Sequence, residues 1–345
     1  MAFDESVQNL AWVRPARSIA VLEEELAAYL GVRHVIATAS GTAALVLAFL
    51  ALELGPDQEV LVPANTFVAT AAVPRLLGSR VRLVDVNPTT YLISPAEVAQ
   101  ASGRVTDVVV PVHLYGRPCD VGDLRHTVPA AIVLEEACQA LGARGPDGMA
   151  GSTGSASVFS FGREKAIASI GEGGAVATDS DLLADKMRRY CNQGAESGDY
   201  ISFGLNLRMD PIQAAIIRSE VGEADAILAR RRQIAQEYTE CLSPLGIVSN
   251  PAVDPGSEHG CYLYVVEVDD RPAFMSALAG FGVELKVHYK RPVHFWSAHR
   301  DLGGPGAFPV AERLAERVVS LPLHERLRDE QVRHVIDSVR RSLRC

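Results

Sequence analysis

The sequence predicts an α/β fold, with a large domain on a mostly parallel sheet followed by a smaller C-terminal α+β domain. Three observations predict it. Short β-branched runs alternate with helical stretches through the first two-thirds of the 345 residues. Several runs, such as Val-Val-Val-Pro-Val after Asp107, are apolar throughout, as strands covered on both faces are. After Gly246 the alternation thins to fewer strands. A chain of this length suits one large domain and one small one.

Taken in order, strands are expected at His34–Thr38, Glu59–Val62, Arg80–Val86, Asp107–Leu114, Ala131–Glu135, Ala156–Phe161 and Gly174–Thr178. Ser18–Leu30, Thr42–Leu52 and Thr66–Leu77 read as helices between them. A long helical stretch opens at Pro211 and reaches about Leu242, with a break near Gly222. Its Arg230-Arg231-Arg232 run reads as a solvated face. Strands at Tyr262–Val268 and Val283–His288 then flank a helix, and a last helix covers Arg328–Leu343. The large domain is placed at residues 1–235 and the small one at 236–345.

Composition narrows the function. The chain is 48% hydrophobic and 22% charged, ordinary for a soluble globular enzyme. A net charge of −9 with no long basic run argues against nucleic acid and anionic membrane. The longest apolar run, Ala43 to Leu52, is about half of a membrane span. The N-terminus lacks a signal-peptide pattern. The six cysteines form no Cys-x-x-Cys pair. They read as free thiols of a cytoplasmic protein, and no metal is expected. Of the 33 basic residues only Lys165, Lys186, Lys286 and Lys290 are lysines. Where arginine is the rule, a lysine hints at an amine that must deprotonate.

Three segments carry the chemistry. Ser40-Gly-Thr42 follows a strand and opens a helix, where free N–H groups make an anion site; alone it is equally an ordinary helix cap. Glu135 and Glu136 end an apolar strand, the edge at which open α/β sheets bind ligands; alone, both could be solvated. Ser160-Phe-Gly-Arg-Glu-Lys165, with Gly171-Glu-Gly-Gly174, offers a hydroxyl, a lysine and a glycine-rich turn. Together they supply a phosphate cradle, a carboxylate and an amine, the set that pyridoxal phosphate requires.

At this point the chain resembles the DegT/DnrJ sugar aminotransferases, of the aspartate aminotransferase superfamily (fold type I). The resemblance runs from Ser40-Gly-Thr-Ala-Ala-Leu45 through Pro63-Ala-Asn-Thr-Phe-Val-Ala-Thr70, Pro111-Val-His-Leu-Tyr-Gly116 and Glu136-Ala-Cys-Gln-Ala-Leu-Gly142. It continues through Asn206-Leu-Arg-Met209 and His288-Tyr289 to Leu321-Pro322. It implies Lys165 as the Schiff-base lysine and Glu136 as the partner of the cofactor's pyridine nitrogen. Gly41, Thr42 and Ser160 become phosphate contacts, Phe67 a ring-stacking aromatic, and Gln139 a neighbour of the phenolic oxygen. Asn206 would reach the phosphate from the neighbouring protomer, making a homodimer with shared sites.

The implied activity moves an amino group from L-glutamate or L-glutamine to a keto-sugar, through pyridoxamine phosphate. The sugar would be nucleotide-linked, in antibiotic or cell-surface glycan biosynthesis. A keto-cyclitol acceptor and a non-catalytic, cofactor-binding regulator are the alternatives. A dehydratase is disfavoured, because those relatives replace the lysine with histidine.

Three departures bear on substrate. Glu136 stands where the family has aspartate. Lys290 stands where proline often follows His-Tyr. The Ser-Gly-Thr motif comes early, so part of the N-terminal substrate-lining segment is expected to be missing. His288, Tyr289, Lys290 and Arg291 are the expected substrate contacts, the last two as a diphosphate site.

Overall fold

A computed structural model describes residues 15–101, 106–249 and 256–343. All seven of the first strand candidates become strands of one sheet. They are β1 (His34–Thr38), β2 (Glu59–Pro63), β3 (Arg80–Val84), β4 (Thr106–Val109), β5 (Ile132–Glu136), β6 (Ala156–Ser160) and β7 (Gly174–Thr178). Their order is β1-β7-β6-β5-β4-β2-β3. From β6 to β3 every pairing is parallel, while β7 runs antiparallel to both its neighbours. The all-apolar runs are the strands covered on both faces: Val60, Leu61 and Val62 are fully buried.

Helix α1 (Pro15–Leu30) packs on β1, and α2 (Gly41–Leu52) packs on β6 and β7. α2 is apolar on nearly every side, so it is buried along most of its length. Helix α3 (Pro211–Gly222) begins on Pro211 with an Asp210 cap, and α4 (Ala224–Leu242) follows after the break at Gly222. Ala224 of α4 joins the core beneath α1, whereas Ile234, Tyr238 and Leu242 join the core of the second sheet.

That second sheet is antiparallel, in the order β8 (Val248–Ser249), β9 (Tyr264–Glu267), β10 (Val318–Leu321). α5 (Asp329–Ser342) closes the same core, with its Val332, Val335, Ile336 and Val339 buried beside α4. Among the described residues no helix is long and apolar enough to cross a membrane.

Three expectations need correction. The strand expected to reach Leu114 stops at Val109, because Pro111 has no N–H to continue the ladder. Val283–His288 makes only an isolated bridge, Lys286 to Ser320, and the third strand is instead the short Val318–Leu321 run. The triple arginine is no solvated face. Arg231 is 4% exposed and donates to the Leu323 carbonyl, while Arg232 reaches the His259 and Gly142 carbonyls. The run ties α4 to loops beside both sheets.

Candidate active site

Because β1, β5 and β6 are parallel, their carboxyl ends share one edge, and antiparallel β7 begins there. A cleft of about 580 Å3 lies along that edge. This is where open α/β sheets place ligands, since the loops leaving the strands diverge.

The end of β1 delivers Ser40. Its hydroxyl caps α2 by accepting the Ala43 N–H at 3.1 Å. The N–H groups of Gly41 and Thr42 head the helix and have no carbonyl four residues back, so an anion in the cleft finds donors and the positive helix end. Gly41 is required there: a Cβ would lie 2.7 Å from the Ser160 Cβ. Gly174 is required too, since its Cβ would meet the Ser40 carbonyl oxygen at 2.3 Å. Both contacts keep β6 and the α2 entry close enough for the Ser160 hydroxyl to face the cleft.

The end of β5 carries the adjacent carboxylates to opposite faces of the sheet. Neither is solvated: Glu135 is 0% exposed and Glu136 4%. Glu135 turns away from the cleft. It accepts the N–H groups of Gly151, Thr153 and Gly154, the Thr153 hydroxyl and the His113 ring, between 2.5 and 3.2 Å. Burial alone would raise its pKa; the His113 bond and the backbone donors outweigh it and hold the carboxylate below its ordinary range. His113 Nδ1 accepts the Cys119 N–H at 2.8 Å, so the ring proton sits on Nε2 and points at Glu135. Glu136 faces the cleft, and its Oε1 accepts the Cys138 N–H at 3.0 Å.

Beyond β6, Lys165 enters the cleft from a turn closed by its own N–H to the Gly162 carbonyl at 2.8 Å. Its Nζ lies 4.9 Å from the centre of the Tyr262 ring. Phe67 is 51% exposed at the mouth, with its ring 6.1 Å from that of Tyr289. Gln139 Oε1 accepts the Tyr115 N–H at 2.7 Å, and its Nε2 donates to the Tyr289 hydroxyl at 2.8 Å. His288 lies within 2.9 Å of the Ser320 hydroxyl; burial and then Lys286 push its pKa down to about 4, so the ring is neutral near pH 7.

The cleft therefore gathers Gly41, Thr42, Phe67, Glu136, Gln139, Ser160, Lys165, His288 and Tyr289. It does not gather Asn206, Lys290 or Arg291. Asn206 is exposed on the surface, accepting from Arg208. Lys290 and Arg291 are exposed, the latter over the Trp296 ring at 5.3 Å. Sequence reasoning missed Cys138 and Tyr262, which line the cleft. Cys138 was legible as the residue two beyond Glu136; burial and the Glu136 charge keep it a thiol. Tyr262, from a distant loop, carried no local signal. Among the described residues no group of His, Cys, Asp and Glu is arranged to hold a metal.

A flat ring with a phosphate, a basic nitrogen and an aldehyde finds its complement here. The helix start could take the phosphate, Glu136 the nitrogen and the Lys165 amine the aldehyde, and the two close-approach glycines leave the cradle open. Comparison with known proteins agrees. The model of the DegT/DnrJ/EryC1/StrS aminotransferase family matches residues 2–340. The erythromycin biosynthesis sensory transduction protein EryC1 of Saccharopolyspora erythraea is 36% identical over 92% of this chain and 88% of its own. The dTDP-3-amino-3,4,6-trideoxy-alpha-D-glucose transaminase of Micromonospora megalomicea is 35% identical, over 94% of this chain and 89% of its own. The crystal structure of NtdA from Bacillus subtilis, with bound cofactor PMP, superposes with a TM-score of 0.90 at 29% identity, covering 100% of this chain and 82% of that one. The chain belongs to the DegT/DnrJ/EryC1/StrS aminotransferase family.

Proposed function

We propose that this protein is a pyridoxal-phosphate-dependent aminotransferase. It moves an amino group from L-glutamate or L-glutamine to the keto carbon of a nucleotide-linked deoxysugar. One observation carries the reading: a helix N-terminus, Glu136 and Lys165 meet in one cleft at the carboxyl edge of the sheet. The relative that makes a dTDP-linked amino sugar supports the acceptor class.

When bound, the cofactor supplies an electron sink for the donor's α-carbon. The chain's residues supply the rest. Gly41, Thr42 and Ser160 hold the phosphate and fix the ring's position. Phe67 covers the mouth side of the ring. Glu136, fixed by the Cys138 N–H, would favour a protonated ring nitrogen. Lys165 holds the cofactor at rest; once displaced, its Nζ takes the proton from the donor's α-carbon and later returns one to the sugar carbon. Overall the donor's amine-bearing carbon ends as a ketone, and the sugar's ketone carbon ends as an amine.

The functional unit is a homodimer in this reading. Asn206 lies outside its own cleft, next to a loop whose Tyr200, Ile201, Phe203 and Leu205 are 46–100% exposed. Such a patch on a soluble enzyme calls for a cover, and a second copy would bring Asn206 to the opposite phosphate. Lys290 and Arg291 are assigned to the acceptor's diphosphate, at the exposed end of the His288-Tyr289 segment. A cytoplasmic setting fits the five free cysteines among the described residues.

The deciding experiment adds L-glutamate or L-glutamine to the cofactor-loaded protein and follows the visible band. Bleaching, with release of the keto acid, supports the transaminase. A stable band with every donor supports a regulator, the reading that the name of the EryC1 relative favours. Product analysis with nucleotide-linked keto-sugars and with keto-cyclitols separates the two acceptor classes.

A further inference from the structure

We propose that a second cavity, back to back with the cleft, is a binding site for a carboxylate carried on an apolar body, with Arg231 as the group that receives the charge. The cavity holds about 540 Å3, within the range of small-molecule sites. Glu164, Tyr262 and His288 line both it and the cleft, so they form the wall between the two. Most of its other residues come from the 282–286 segment, from β10 and the turn that follows, and from α5.

The lining is sorted by depth. Val283, Leu321, Leu323, Leu327 and Val335 are all buried, and the faces they turn to the cavity make an apolar inner surface. The exposed rim carries fixed charges of both signs, Glu164 and Glu284 against Lys286, with Glu164 and Lys286 3.4 Å apart. The one charged group of the lining that is buried is Arg231, of α4. An apolar body is therefore favoured inside, and Arg231 decides the charge it carries.

Arg231 is poorly compensated where it stands. Its neighbours in sequence are both paired, Arg230 with Asp329 at 2.6 Å and Arg232 with Glu258 at 3.1 Å. Arg231 Nη1 donates to the Leu323 and Cys261 carbonyls at 2.9 and 3.4 Å, but these are dipoles and not charges. A Glu325 oxygen lies 3.4 Å from Nε, yet out of hydrogen-bond alignment, so Nε–H has no acceptor among the described residues. Burial pushes the Arg231 pKa down, and Glu325 opposes that only in part. A buried cation with an idle donor is costly, and a carboxylate beside it lowers the cost through a charge-assisted bond. A single buried guanidinium suits a monoanion better than a phosphate dianion, which needs more than one cation to leave water.

The test is calorimetric titration of the holoenzyme with 4-phenylbutyrate, with its uncharged counterpart 4-phenylbutan-1-ol, and with inorganic phosphate. The carboxylate should bind about tenfold or more tightly than the alcohol, as one charge-assisted bond predicts, and phosphate should give no heat. Arg231→Met should bring the carboxylate down to the affinity of the alcohol, and Arg231→Lys should restore part of the difference. A merely structural arginine would change both ligands alike. Should Arg231→Met not fold, Lys286→Glu reverses a charge at the exposed rim without touching the core. It should weaken the carboxylate by about two- to fivefold and spare the alcohol. Equal affinities for carboxylate and alcohol in the wild type, or phosphate binding as tightly as the carboxylate, would overturn the site. So would a preference for the carboxylate that survives in the folded variants.

Discussion

Glu135 and Glu136 are the same residue twice, one peptide bond apart, yet they sit in opposite regimes. Glu135, on the face away from the cleft, has five donors and no route to solvent. Glu136, on the cleft face, has the Cys138 N–H on Oε1, and its carboxylate faces the cavity. The pleat of β5 alone separates them. The lesson is about satisfaction. A buried carboxylate surrounded by donors has nothing left to offer a ligand, so it serves the fold. One held by a single bond is positioned and still reactive, so it can serve the chemistry. The two faces should therefore fail differently: one in stability, the other in turnover.

The largest effect belongs to the cleft face. Lys165→Ala should lower product formation by about 10²–10⁴-fold or more, since it removes both the covalent anchor and the shuttling base. Its unfolding temperature should stay close to wild type. Steady-state kinetics with the amino donor check this, and near-normal turnover would refute the assignment of Lys165.

On the other face, Glu135→Ala should cost about 3–5 kcal/mol of stability, read by denaturant unfolding, because it strands three backbone N–H groups and His113. The pH dependence has a definite sign. The folded pKa of Glu135 lies below its unfolded value, which is about 4.3. Its contribution is therefore complete above that value and is lost as pH falls through the folded pKa. Glu135→Gln should flatten this acid limb of the stability curve. If it left the limb unchanged, the carboxylate would not be the group that holds the loop 151–154.

Glu136→Gln reverses the pattern. The fold should survive with a loss of under about 1 kcal/mol, because an amide oxygen can still accept from Cys138. Turnover should fall by about 10²-fold, as a neutral amide no longer favours a protonated ring nitrogen. Glu136→Asp should retain more activity than the amide. A Glu136→Gln enzyme as fast as wild type, or one that unfolds, would erase the distinction between the two faces.

Most of this was legible in the sequence where a local rule applied. The seven strands came from β-branched runs; Gly41, Thr42, Glu136, Ser160 and Lys165 came from a helix cap, strand ends and a glycine-rich turn, while Phe67, Gln139, His288 and Tyr289 came only from the family resemblance. What escaped was decided at a distance. The fates of Glu135 and Glu136 could not be told from adjacent letters, because the loop 151–154 that satisfies Glu135 lies far along the chain. Arg230 to Arg232 looked solvated because their acceptors are carbonyls of remote loops, which have no signature. Val318–Leu321 is a strand only because β9 lies beside it. The same holds for the pair at residues 290 and 291, where position rather than charge is in question.

That pair gives the smallest expected effect. Lys290 and Arg291 follow His288 and Tyr289, which line the cleft, but their own side chains stay at the exposed surface. An exposed cation meets a diphosphate in high-dielectric water, where each contact is weak and screened by salt. The double variant Lys290→Ala/Arg291→Ala should therefore raise the KM for a nucleotide-linked acceptor by only about two- to thirtyfold, the equivalent of roughly 0.2–1 kcal/mol per charge. Its kcat, and its KM for the amino donor, should not move. The effect should also shrink as salt is added, because screening acts on the wild type and has nothing to act on in the variant. A salt-independent change would mean that Arg291 acts through its packing on Trp296 rather than through its charge. An unchanged acceptor KM would place the diphosphate elsewhere along the cleft, and would leave the specificity of this enzyme to the residues that the cleft itself gathers.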